Sequence, residues 1–204
     1  MSEISVEIGA QACTLVGAEP ITSFEDGSAE SLIIANNYDP IVDNEVDLYD
    51  WRFLMKEVQL VASEMSEEQS WRWKSMYSLP SDCYGVRALR DQGGRRIAFD
   101  RFEDKVGTSS PSNLPVFLEY TRRLDESMWP KFFQQLIVYQ LAAILASGLR
   151  EDYKLAELWE GKTNVQRRMS RNRDAQMSTT RNMRTDNLLR VRHGASNTWT
   201  REGW

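Results

Sequence analysis

Apolar residues recur at helical spacing near the start of the chain. Ile4, Ile8, Ala12 and Leu15 fall on one stripe, which predicts a short helix over residues 4–16. Gly17 stands where a left-handed C-terminal cap is expected, and Pro20 prevents continuation. Asp26-Gly27-Ser28 then offers capping side chains for a second helix over about 28–50, with Ile34, Tyr38, Ile41/Val42, Val46 and Tyr49 as its apolar stripe. Pro40 lies inside that helix and should remove one backbone bond and kink it. The following segment, Trp51-Arg52-Phe53-Leu54-Met55, is expected to pack inward.

The period changes after residue 70. Trp71 and Trp73 alternate with Arg72 and Lys74, and Leu79-Pro80-Ser81-Asp82 makes a turn. Short segments at 84–90, 95–103 and 115–122 follow, with Gly93-Gly94 between the first two, a pattern that reads as antiparallel hairpins. Residues 104–113, with Gly, Thr, Ser and Pro, read as a polar loop.

Residues 127–148 carry the clearest helical signal. Phe132, Phe133, Leu136, Ile137, Val138, Leu141, Ile144 and Leu145 leave almost no polar face, which places this helix at the centre of the fold, ending at Gly148. A last helix starts near Arg150 and carries Leu155, Leu158/Trp159, Val165, Met169 and Met177. Continued to residue 182 it would be about 50 Å long, so its far end is expected to project beyond its own domain. Residues 184–204 have no periodicity and carry Trp199 and Trp204 on a polar background. They read as an extended arm whose tryptophans anchor a partner surface. Together these patterns predict an α+β, mainly α chain. A helical bundle (residues 1–70 and 125–183) carries an inserted small antiparallel β-sheet region (71–124) and an extended C-terminal arm (184–204).

Charge adds a polarity that the net value of −5 hides. Residues 1–70 carry 15 acids and two bases, whereas residues 161–204 carry ten bases and three acids. Such a chain is suited to head-to-tail association, one copy's acidic end meeting another's basic end. Cys13 and Cys83 are too few and too far apart for a disulfide framework or a zinc site. No apolar run has the length of a membrane span, and Met1-Ser2-Glu3 lacks the basic start of a secretory signal. A soluble protein made in a reducing cytoplasm, with no membrane partner, is expected.

Candidate chemistry is sparse. His193 is the one histidine; it lies in the arm beside Arg192 and Gly194, with no carboxylate assignable to it as a triad partner. No phosphate loop, dinucleotide turn or zinc-protease helix occurs. Gly93-Gly94-Arg95-Arg96 could cradle a phosphate, but its strand-like flanks favour a hairpin tip. Asp39, Asp43 and Asp47 share one helix face and read as a solvated or partner-facing seam rather than a metal site. No catalytic residue, cofactor site or metal site is expected. The strongest charge signal is the run Arg167, Arg168, Arg171, Arg173, Arg181, Arg184, Arg190 and Arg192. Arginine forks pair with phosphates or carboxylates, so nucleic-acid binding stands as the alternative to a protein partner.

Four places resemble the head-to-tail adaptor proteins of short-tailed bacteriophages, the tail tubular protein A-like or head-tail connector proteins. They are Ala12-Cys13-Thr14-Leu15-Val16-Gly17-Ala18-Glu19-Pro20-Ile21; Asn37-Tyr38 through Leu48-Tyr49-Asp50-Trp51-Arg52-Phe53; Trp71-Arg72-Trp73 to Leu79-Pro80-Ser81-Asp82-Cys83, the most specific; and Phe132 to Leu149 followed by a long helix with Arg and Asp. The likeness spans residues 4–183 by pattern. Leu54, where the family often has a small residue, and Pro40 depart from it.

The resemblance implies a non-enzymatic subunit of the virion's head-tail junction. It would form a ring, usually a dodecamer, docked under the portal protein. The β region would receive tail nozzle or tail tube proteins, and genomic DNA would pass through the lumen without sequence readout. The arm would hold the portal, which makes Arg181, Arg184, Arg190, Arg192, His193, Trp199, Arg201 and Trp204 the expected partner-binding residues. Two other classes compete. A nucleic-acid-binding accessory protein would use the arginine run and lose affinity steeply with salt. A cell-wall hydrolase would use a pair of carboxylates about 5–9 Å apart in a cleft.

Overall fold

In the computed structural model, which describes residues 2–63 and 72–177, Ser2 opens helix α1 (Glu3–Val16) by accepting from the Ser5 amide at 3.2 Å. Gly17 closes it with φ +70°, and the Gly17 and Ala18 amides donate back to Thr14 and Cys13. A left-handed residue at that point costs a glycine nothing, which is why the helix stops there. Helix α2 (Ala29–Leu48) starts at Ser28, whose hydroxyl accepts from the Ser31 amide at 3.1 Å. Asp26 in turn accepts from the Ser28 amide and hydroxyl, and those bonds hold its carboxyl well below the usual carboxylate range. The helix runs through Pro40 without a break. Pro40 and Asn36, whose carbonyl the proline cannot serve, both lie on the exposed face, where water can take that carbonyl.

A 3-10 turn (Arg52–Leu54) then leads directly into eight strands: β1 (Met55–Leu60), β2 (Ala62–Ser63), β3 (Ser75–Ser78), β4 (Gly85–Arg90), β5 (Arg96–Ile97), β6 (Phe99–Phe102), β7 (Lys105–Thr108) and β8 (Val116–Thr121). They form two four-stranded antiparallel sheets, ordered β1-β8-β4-β5 and β2-β3-β7-β6. Leu60, Leu89, Val116, Leu118 and Tyr120 from the first sheet share one buried cluster with Tyr77 and Val106 from the second. The sheets therefore close on a core of their own.

That arrangement overturns the expected bundle with a small inserted sheet. The fold is a mixed α+β structure in which two full sheets stand beside the helices. β-structure begins at Met55 rather than near residue 71. Residues 104–113, expected as a polar loop, contain β7, whose Val106, Gly107 and Thr108 are buried. Thr108 could be buried because its hydroxyl is used, accepting from the Ser110 amide at 3.2 Å.

Helices α3 (Lys131–Gly148) and α4 (Tyr153–Gln176) complete the chain as described. α3 is the apolar centre: Phe133, Leu136, Ile137, Leu145 and Ala146 are fully buried, and α1, α2 and α4 all pack on it. Asp152 caps α4 by accepting from the Leu155 amide at 3.0 Å. α4 has 24 residues, about 36 Å, and ends at Gln176. The stretch expected to project, towards residue 183, lies outside the described residues. The last turns of α4 are pinned: the Ser170 hydroxyl donates to the Phe132 carbonyl at 2.9 Å, and both carboxylate oxygens of Asp174 accept from the Arg52 amide at 3.0 Å. Ser170 and Asp174 are polar residues with no exposure at all, so a stripe counted on apolar side chains alone misses this buried face.

Candidate interaction surfaces

The helices are joined to one another at one aromatic and one ionic node. Trp51 is fully buried, with Tyr49, Phe53 and Phe133 edge-on or tilted around it at 4.8, 5.9 and 5.0 Å between ring centroids. Its indole N–H donates to the Glu45 carbonyl at 2.7 Å. The Glu45 side chain, also fully buried, accepts from Gln140 of α3 and from the Arg167 fork of α4. One carboxylate thus ties α2 to α3 and α4 together.

The expected acidic seam on α2 stays largely in solvent, Asp39 and Asp43 keeping 49% and 38% of their side chains exposed, and it also joins the helix to the sheets. Arg123, just after β8, reaches Asp39 at 2.5 Å and Asp43 at 3.1 Å. At the helix end Asp50 pairs with Arg87 of β4. Arg87 is the extra residue of a bulge, since the register against β8 passes from Val86↔Tyr120 to Ala88↔Glu119. Such a bulge re-aims a side chain, and here it turns Arg87 to the helix end. Tyr84, on the same joint, has its phenol pushed up to about 12 by burial and by its bond to Asp43.

The Leu79-Pro80-Ser81-Asp82-Cys83 segment does comparable work on the sheet side. Asp82 accepts from the Tyr120 hydroxyl at 2.8 Å and from Lys56 at 3.1 Å, and the Tyr120 bond foremost holds its carboxyl below the usual range. Leu79 and Cys83 pack against the sheet core. Gly93-Gly94 is a hairpin tip between β4 and β5: the Gly93 and Arg95 amides donate to Asp91, at 2.9 and 2.8 Å, filling the place a phosphate would take. Burial pushes both thiols, Cys13 and Cys83, up and makes them poor nucleophiles. Among the described residues there is no group of three or more His, Cys, Asp and Glu side chains that could hold a metal ion, and no helix long and apolar enough to cross a membrane.

The arginine run divides. Arg167 is committed to Glu45, and Arg171 lies over the Tyr49 ring at 5.1 Å, while Arg168 and Arg173 are exposed. The run therefore does not present one continuous basic face within α4. Arg181, Arg184, Arg190, Arg192, His193, Trp199, Arg201 and Trp204 lie outside the described residues.

What the sequence reading missed is a groove of about 770 Å³ along α4, lined by Tyr139, Leu158, Val165 and Met169 and flanked by Lys154, Glu157 and Lys162. Leu158, Val165 and Met169 are 52%, 48% and 50% exposed, which is high for three apolar residues in one row. Lys162 sits over the Trp159 ring at 3.9 Å, so its charge is fixed at the groove's edge. The spacing 158, 165, 169 belongs to the helical stripe visible in the sequence; that it faces outward follows only from where α3 lies. No family model matches the chain, and no curated protein is significantly similar to it.

Proposed function

We propose that the chain is a structural adaptor subunit of a tailed bacteriophage, forming a ring that joins the portal vertex to the tail and lines the DNA exit channel. The observation that carries this reading is where the resembling segments fall. Trp51 and Phe53 build the helical core, Asp82 and Cys83 lock the sheet side, and Phe132 and Phe133 begin the central helix. The likeness thus falls on residues that determine packing, which is what a shared fold requires and what a shared composition does not.

In this reading the sheets receive nozzle or tube proteins and the basic, tryptophan-bearing segment holds the portal. No side-chain constellation on the described residues is used for chemistry; the work is docking. Nucleic acid is not the favoured partner, because half of the α4 arginines are spent on internal contacts. The test is a pull-down on the portal protein encoded in the same genome. The double variant Trp199→Ala, Trp204→Ala should lose at least tenfold in retention while its circular dichroism is unchanged. Undiminished retention would remove the anchoring role, and retention that instead fell steeply with salt and persisted on DNA alone would favour the nucleic-acid alternative.

A further inference from the structure

The acidic helix α1 and the last described helix α4 pack on different parts of the central helix. They scarcely touch each other. α1 presents Glu3, Glu7 and Gln11 on a single exposed face that ends at the exposed Leu15. Residues 2–30 contain six carboxylates and no base. Along α4 the groove exposes Leu158, Val165 and Met169 between Lys154 and Lys162, with Glu157 also in its lining and Arg168 exposed beside it. Among the described residues none of Glu3, Glu7, Lys154, Lys162 and Arg168 belongs to an ion pair.

From this placement we infer that the α4 groove is the docking surface for the α1 edge of a second copy of this chain. Apolar residues whose rim carries Lys154, Lys162 and Arg168 against the single carboxylate of Glu157 meet the carboxylates of Glu3 and Glu7 on the other face, so the net charges that repel at a groove-to-groove or edge-to-edge encounter attract at a groove-to-edge one. Two different patches of one subunit make a heterologous contact. Each copy then keeps one free groove and one free edge, and the contact repeats until it closes into a ring or runs on as a filament. The inference rests on the ring-forming reading of the preceding section and names the surface through which neighbours meet.

A charge exchange tests it in sedimentation velocity at low salt. Wild-type chain is expected to sediment above its monomer mass of 23.6 kDa as concentration rises, and to fall back when salt is added. The groove variant Lys154→Glu, Lys162→Glu and the edge variant Glu3→Lys, Glu7→Lys should each stay monomeric alone. Mixed one to one they should regain the wild-type species, because each groove again faces an edge of opposite sign. Val165→Arg, which leaves every rim charge in place, should also stay monomeric, with circular dichroism unchanged in all three variants. Wild type that remains monomeric at every concentration overturns the contact, as does a mixture that stays monomeric or stops at a dimer. Association of wild type that the variants do not alter removes this surface and leaves the ring reading standing. Filaments in place of rings, with the charge exchange intact, do the reverse.

Discussion

Arg167 of α4 and Glu45 of α2, 122 residues apart, meet through a one-sided fork: the arginine's Nε and Nη2 both donate to Oε1, at 2.9 and 2.6 Å. The Glu45 side chain is fully buried while the Arg167 side chain keeps a quarter of its surface in water. The pair's second carboxylate oxygen has no hydrogen-bond partner among the described residues. Everything that neutralises Glu45 therefore comes from one side.

Removing the arginine alone strands that charge. Arg167→Ala is expected to lower stability by about 3 kcal/mol, the low end for breaking a buried pair, because water can reach the site the guanidinium leaves. The double variant Arg167→Met, Glu45→Leu should recover most of the loss, since it removes the desolvated charge together with its partner. Urea-unfolding midpoints of the three proteins decide it; a single variant as stable as wild type would mean that Glu45 is solvated in the folded protein.

Asp174 gives a stability that varies with pH. Burial raises its carboxyl above the ordinary value, against the opposing pull of the Arg52 and Phe53 amides. A folded pKa above the unfolded one means the contribution is fully present below the ordinary carboxylate pKa and is lost as pH rises through the folded value. Wild type should therefore lose stability relative to Asp174→Asn between about pH 4 and neutrality. The difference between their urea midpoints, followed across that range, should move in the variant's favour; a flat difference would show that the amides balance the burial.

Two glycines should respond to alanine with opposite signs. A Cβ on Gly107 of β7 would lie 2.8 Å from two ring atoms of Trp73 and 3.0 Å from the Met76 sulfur. Trp73 is itself nearly buried and cannot swing away, so Gly107→Ala should cost about 1–3 kcal/mol. Gly161 of α4 has nothing within 4 Å of its added Cβ, and there alanine should stabilise by about 0.5–1 kcal/mol through helix propensity. Thermal midpoints of both variants check the contrast.

The same residues show where sequence pattern carries and where it fails. α1 was legible to its last residue because Gly17 forces the stop, and the stripe Ile34, Tyr38, Val42 and Val46 of α2 is buried as its spacing predicts. The central helix α3 needed only its apolar content. β1 was missed because Met55-Lys56-Glu57-Val58-Gln59-Leu60 has only one buried residue, Leu60. β7 was missed because Gly107 and Thr108 are turn-formers by composition and are buried only through Trp73 and Ser110. The acidic seam of α2 was seen but its partners were not, since Arg123 lies 80 and 84 residues away from Asp43 and Asp39. The α4 groove is not legible in the stripe Leu158, Val165 and Met169, because exposure depends on the neighbouring helix and not on the spacing.

The adaptor reading is tested most directly by imaging the portal protein encoded in the same genome, alone and after incubation with this chain, by negative stain. The expected result is an added ring of this protein stacked on one face of the portal, with a matching gain in mass. Portal rings of unchanged outline and mass, with the chain left wholly in the unbound fraction, would contradict it.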